Sequence, residues 1–200
     1  MKARTLLLVF ALFFATVAGA FAQTPIKDTA VLLVGAEAAD GSRSICSGVV
    51  IAPSKILTAK HCLNALFIAR ISDGRLHADL RVARIAPDGV DLLLIFAPGV
   101  TCPCATVAQI LFVQEPVVAS GYPDGVWAET TGQVFGLGRG PDYVFLVHSA
   151  PTAPGASGGG LWQLQSEQWV LVGINSALTE VGEYLWSLAV PHILFPNATQ

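Results

Sequence analysis

The sequence predicts an all-β protein. Short apolar runs rich in Val, Ile and Leu recur along the 200 residues, clusters of Gly, Pro, Asp and Ser separate them, and only one brief segment has helical character. About a dozen short strands in close succession point to a β-barrel or a sandwich.

The first element is a leader. Lys2 and Arg4 precede an apolar run from Leu6 to Ala18, and Ala20-Phe21-Ala22 supplies a small-residue cleavage site before Gln23. The reading is a signal peptide over residues 1–22; its competitor is an uncleaved anchor. Past residue 22 no apolar run reaches the roughly 18 residues a membrane helix needs, so the mature protein is expected to be exported, to the periplasm or the extracellular space, with no membrane partner. Loss of the leader removes Lys2 and Arg4, takes the formal charge from −3 to −5 and leaves 178 residues. That length suits one domain or two tightly packed halves.

Strands are expected at 30–34, 47–51, 56–59, 66–69, 76–85 and 92–96, then at 116–120, 130–137, 143–148, 160–164, 169–174 and 184–190. Segment 97–106 holds two prolines and Gly99 and reads as a crossover between two strand sets. The best helix lies at 191–195. With 11 Lys and Arg against 14 Asp and Glu, the chain is a poor match for a nucleic-acid backbone.

Chemistry concentrates in three places. Pro154-Gly155-Ala156-Ser157-Gly158-Gly159-Gly160 presents a serine in a glycine-rich turn, Thr58-Ala59-Lys60-His61-Cys62 presents a histidine, and Asp91 opens Asp-Leu-Leu-Leu-Ile. A serine hydroxyl is a weak nucleophile at neutral pH and needs a base, which in turn needs a group to fix its tautomer. Asp73, Asp79 and Asp88 are rival carboxylates, but the apolar run directly after Asp91 favours it. His77, His148 and His192 read as structural or exposed, with no metal-ligand spacing, and no cofactor is expected.

Gly155-Ala156-Ser157-Gly158-Gly159 also satisfies the G-x-S-x-G pattern of an α/β-hydrolase. That elbow requires a helix right after the serine and a histidine later in the chain. Gly158-Gly159-Gly160 starts a helix poorly, and only His192 follows.

Taken in order, Cys46-Ser47-Gly48-Val49-Val50-Ile51-Ala52-Pro53, Thr58-Ala59-Lys60-His61-Cys62, Asp91-Leu92-Leu93-Leu94, Gly121-Tyr122-Pro123 and Gly155-Ala156-Ser157-Gly158-Gly159 resemble the trypsin-like serine proteases. Gly173-Ile174-Asn175-Ser176-Ala177 resembles the bacterial HtrA-type and viral-like branches. The resemblance implies two six-stranded antiparallel β-barrels, about 28–106 and 107–200, with the active site between them. It implies a serine endopeptidase acting on polypeptides, with His61 as base, Asp91 as its orienting partner, Ser157 as nucleophile and the N–H groups of Gly155 and Ser157 as oxyanion donors.

The resemblance further implies a specificity pocket walled by Pro151, Thr152, Ala153, Ile174, Asn175, Ser176, Ala177 and Leu178. Pro151 stands where trypsin-like specificity places an aspartate, so cleavage after Lys or Arg is expected to be poor. Thr152 resembles glutamyl endopeptidases, but Asn175 replaces their histidine; small or medium uncharged side chains are expected. Ala156 stands where zymogen-type relatives carry an aspartate that pairs with a new N-terminus, so no such switch is expected. Four cysteines permit three pairings; the resemblance pairs Cys46 with Cys62, and leaves Cys102 and Cys104 to each other, free, or joined between molecules. A binding module that has lost activity and an exported structural β-protein are the rival functional classes.

Overall fold

Turn residues divide the chain into fourteen strands among the described residues, and these strands fall into two sheets. The computed structural model describes residues 26–139, 144–181 and 184–191. The leader and all but the first residue of the helix expected at 191–195 lie outside them; Pro191 ends a strand.

The first sheet contains β1 (Ala30–Glu37), β2 (Arg43–Ala52), β3 (Lys55–Thr58), β4 (Ile68–Ile71), β5 (Leu76–His77), β6 (Arg81–Ile85) and β7 (Leu93–Phe96), in the order β5-β4-β1-β2-β3-β7-β6. Its outermost strands, β5 and β6, are separated only by Ala78-Asp79-Leu80. The sheet therefore curls until its edges approach, giving a half-barrel. A single strand was expected over 76–85; it breaks because its start pairs with β4 and its end with β7.

The second sheet contains β8 (Thr106–Val107), β9 (Pro116–Gly121), β10 (Ala128–Arg139), β11 (Val144–His148), β12 (Gly160–Gln165), β13 (Gln168–Val181) and β14 (Tyr184–Pro191). Six of these close into an antiparallel barrel, β12-β9-β10-β11-β14-β13, sealed by the β12–β13 pairing, and β8 joins β13 in parallel. Of the two expected barrels, the second is thus closed and the first is open.

Segment 97–105 connects the sheets, and Pro98 and Pro103 lack the N–H groups a central strand requires. Short backbone ties hold it to the first sheet: Ala97 N–H to Ser54 O at 2.9 Å, Ser54 N–H to Val100 O at 2.8 Å, and Ala105 N–H to Val50 O at 2.8 Å. Cys102 and Cys104 are disulfide-bonded to each other here.

The strand expected from residue 66 starts at Ile68, because Lys60–Ala65 winds into a 3₁₀ helix. The Cys46–Cys62 disulfide holds that helix to β2. Leu92, Leu93, Leu94 and Ile95 are all buried, since β7 lies between β3 and β6. Burying such side chains stabilises by about 1.5–3 kcal/mol each. Trp162, Leu171, Ile174 and Val190 of the second sheet pack into the same cluster, so the two halves share one interior.

Candidate active site

Sheet register brings His61 to Asp91. In the antiparallel β3–β7 pair Thr58 faces Leu93, so the chain leaving β3 and the chain entering β7 do so at the same edge. Three residues beyond Thr58 is His61; two before Leu93 is Asp91. The ring Nδ1 of His61 lies 2.8 Å from Asp91 Oδ2, and the His61 backbone N–H donates to Oδ1 at 3.0 Å. Ser176, from β13 of the other sheet, donates its hydroxyl to Oδ2 as well.

The electrostatics follow from these contacts. The hydrogen bond to Asp91 raises the His61 pKa above its ordinary value, burial opposes, and the carboxylate charge adds to the rise. Burial alone pushes the Asp91 carboxyl up, but the bonds from His61 and Ser176 outweigh it and hold the group below the usual carboxylate range. The rival carboxylates are engaged elsewhere. Asp73 pairs with Arg75, Asp79 with Arg81 at 2.8 Å, and Asp88 with Lys60 at 3.4 Å.

Ser157 sits in a loop clamped from both sides. Its carbonyl accepts the Ser47 N–H of β2 at 2.7 Å, Gly158 N–H donates to Asn175 O at 2.7 Å, and Asn175 N–H donates to Gly159 O at 2.8 Å. Gly155 and Gly158 have φ of +95° and +84°. Both are crowded too: a Cβ on Gly158 would run into Ser47 O and Thr58 Oγ1, and one on Gly155 would lie 2.6 Å from Tyr122 O. Glycine alone fits there. The Ser157 carbonyl oxygen lies 3.6 Å from Sγ of Cys62, the residue after His61. Among the described residues, however, Ser157 Oγ makes no hydrogen bond, and the N–H groups of Gly155 and Ser157 have no acceptor.

A cavity of about 280 Å³ opens beside Ser157, lined by Thr152, Ala153, Pro154, Asn175, Ser176, Ala177 and Leu178. Two expected wall residues lie elsewhere. Ile174 is fully buried in the shared core, because it alternates with Asn175 along β13. Pro151 lines another cavity, of about 160 Å³, which shares Thr152, Ala153 and Asn175 with the first, and its carbonyl is taken by Thr130 Oγ1 at 2.6 Å. Thr152 Oγ1 is 3.0 Å from Ser187 Oγ, a buried hydroxyl that the sequence did not single out.

The Ser176–Asp91 contact leaves no trace in the sequence, since the partners are 85 residues apart; Ser176 both holds Asp91 and lines the cavity beside Ser157, as expected of a pocket wall. A register shift between Asn175 and Ala177 marks the spot. The sulfurs of Cys46 and Cys62 and a ring nitrogen of His61 lie within 4.8 Å of one another. Both sulfurs belong to one disulfide, which leaves no thiolate to bind a metal. His77 Nδ1 lies 3.2 Å from Pro98 O, His148 is buried, and His192 is outside the described residues.

Residues 46–174 match the family of trypsin-like peptidase domains. No curated protein matches the chain in sequence. In three dimensions it is similar to the active form of the Rv3671c protease from M. tuberculosis, with a TM-score of 0.70 at 19% identity, covering 83% of this chain and 77% of that one. It is also similar to the HtrA-type protease AlgW with a tripeptide (0.70, 24%, covering 84% and 57%) and to the serine endoprotease from Yersinia pestis (0.70, 24%, covering 84% and 60%). The chain thus spans less than two thirds of the length of the latter two. The likeness carries the double-barrel fold, and the family match over well more than half of the chain carries the rest: this protein belongs to the trypsin-like peptidase domain family and is a serine endopeptidase.

Proposed function

We propose that this is an exported endopeptidase that cleaves polypeptides through an acyl-enzyme formed on Ser157. His61 takes the Ser157 proton as Oγ attacks the scissile carbonyl. The carbonyl becomes a tetrahedral oxyanion, which the N–H groups of Gly155 and Ser157 are free to receive. His61 then gives the proton to the departing amine, leaving an ester on Ser157. Water attacks that ester by the same route, with His61 as base, and releases the new carboxylate. Asp91 keeps the His61 Nδ1–H turned away from Ser157 and stabilises the imidazolium. Each oxyanion donor contributes about 3–4 kcal/mol to lowering the barrier.

The single observation that carries this reading is the His61–Asp91 pair at 2.8 Å, placed next to a loop whose two candidate oxyanion amides have no other acceptor. The cavity beside Ser157 is lined by uncharged residues, among them Thr152, Ala153, Ser176 and Leu178, which favours small or medium uncharged residues before the cleaved bond. Export rests on the leader motif alone.

One observation favours a binding module instead: Ser157 Oγ has no hydrogen bond to His61 in this state. Such bonds are often long without substrate and tighten in the reactive complex. A serine-reactive fluorophosphonate separates the readings. Labelling of the wild type but not of Ser157→Ala, together with a fall in turnover of about 10⁶-fold in that variant, supports the peptidase; an unlabelled wild type supports the module. Dominant cleavage of a peptide library after Lys, Arg or Glu would refute the specificity.

A further inference from the structure

Ser47 is a buried serine of the first sheet whose hydroxyl reaches the loop before Ser157. Its Oγ–H donates to the Gly155 carbonyl at 2.8 Å and its Oγ accepts the Tyr122 N–H at 2.8 Å. One donor and one acceptor role use the hydroxyl's single proton and one of its lone pairs. The same residue's backbone N–H holds the Ser157 carbonyl at 2.7 Å. A single residue thus grips the loop on both sides of Ala156.

The contact to Tyr122 extends the grip. Tyr122 opens a turn closed by Gly125 N–H to Tyr122 O at 3.0 Å, and within it the Asp124 N–H donates to Pro154 O at 3.2 Å. In a trans peptide the N–H points opposite to the C=O. Fixing the Pro154 carbonyl on Asp124 therefore turns the Gly155 N–H the other way. Fixing the Gly155 carbonyl on Ser47 sets the next peptide plane. Gly155, at φ +95°, has no Cβ to resist rotation of either plane. Among the described residues no charged side chain bonds to residues 153–157, and the buried Ala156 brings no polar group of its own.

The room for this hydroxyl is kept clear. A Cβ on Gly121 would lie 2.8 Å from Ser47 Oγ and 3.0 Å from the Ala156 Cα. This accounts for Gly121 in the Gly-Tyr-Pro motif.

We infer that Ser47 is a positioning residue for the oxyanion donors: its hydroxyl, buried between the two halves, locks the Gly155 loop with the Gly155 and Ser157 amides free for substrate. The inference rests on the peptidase reading above. It gives the chain an internal lock where Ala156 offers no carboxylate for an N-terminal one.

The test compares wild type, Ser47→Ala and Ser47→Thr, each normalised by fluorophosphonate active-site titration and checked for folding by thermal melting. With a peptide substrate, Ser47→Ala should lower kcat by about 10–100-fold, a smaller loss than removal of an oxyanion donor itself, with KM little changed. Affinity for a peptide boronate, which forms a tetrahedral anion on Ser157, should fall by a similar factor, while the pH midpoint of turnover stays put. Ser47→Thr, which keeps the hydroxyl, should restore most of the loss. If Ser47→Ala does not fold, Ser47→Cys, whose thiol is a weaker donor, carries the same expected direction. A folded Ala or Cys variant with wild-type kcat and boronate affinity, or with only KM altered, overturns the inference. A wild type that resists the fluorophosphonate overturns the peptidase reading instead.

Discussion

Nδ1 of His61 and Oδ2 of Asp91 are 2.8 Å apart, although the two residues come from different strand ends of the first sheet. The bond makes the imidazole more basic, and that has a direct kinetic consequence. In the proposed mechanism His61 serves as a base only when neutral, so turnover should rise with pH through a midpoint above the roughly 6.5 of an ordinary histidine. The raised pKa also has a sign for stability: its contribution is present below about pH 6.5 and is lost as pH rises through the folded pKa. The profile of kcat/KM between pH 5 and 9 checks the first point; a flat profile excludes a histidine base.

Replacing Asp91 by Asn keeps the shape but reverses the role of one carboxylate atom. The variant should lose about 10⁴-fold in kcat, and the His61 titration should move down. Imidazole proton shifts followed by NMR across pH report that movement. An unchanged midpoint would mean that Asp91 is not what raises the His61 pKa.

Gly158 tests the clamp on the loop. Ala at this position must adopt φ near +84° and place its Cβ against Ser47 O and Thr58 Oγ1. Positive φ by itself costs about 1–3 kcal/mol, and the collision adds to it. Gly74 provides the control, with φ +87° and nothing within 4 Å of an added Cβ. Urea unfolding should find Gly158→Ala clearly less stable than Gly74→Ala; equal losses would show that the loop has slack.

His148 is fully buried in β11, and neither ring nitrogen has a hydrogen-bond partner of normal geometry. Burial lowers its pKa to about 4, with the Ala150 backbone opposing in part. The unfolded chain therefore binds the extra proton first as pH falls, and stability should drop between about pH 6.5 and 4 by about 3 kcal/mol. Unfolding free energies at pH 7 and pH 4.5 measure the drop. Its slope should shrink in His148→Leu, and an unchanged slope would assign acid sensitivity to other groups.

Much of the fold was legible because it is local. Alternation of apolar residues with Gly, Pro and Asp turns places most strands within two residues of their observed ends. His61, Asp91 and Ser157 stood out because nucleophilic chemistry needs those residue types. The 3₁₀ helix Lys60–Ala65 left no periodic trace, since a disulfide partner 16 residues away holds it. The break at 78–80 was hidden for a similar reason: both flanks read as strand, and only their different partners part them.

The sequence by itself determined the inventory: which segments extend, which glycines permit tight turns and which side chains carry reactive atoms. Tertiary structure decided which of these meet. A two-residue period says which face a side chain takes but not which strand lies beside it. The pairing of Thr58 with Leu93, the reach of Ser176 to Asp91 and the grip of Ser47 on Gly155 span 35 to 108 residues of chain. Such contacts form only when whole sheets have closed around a shared core.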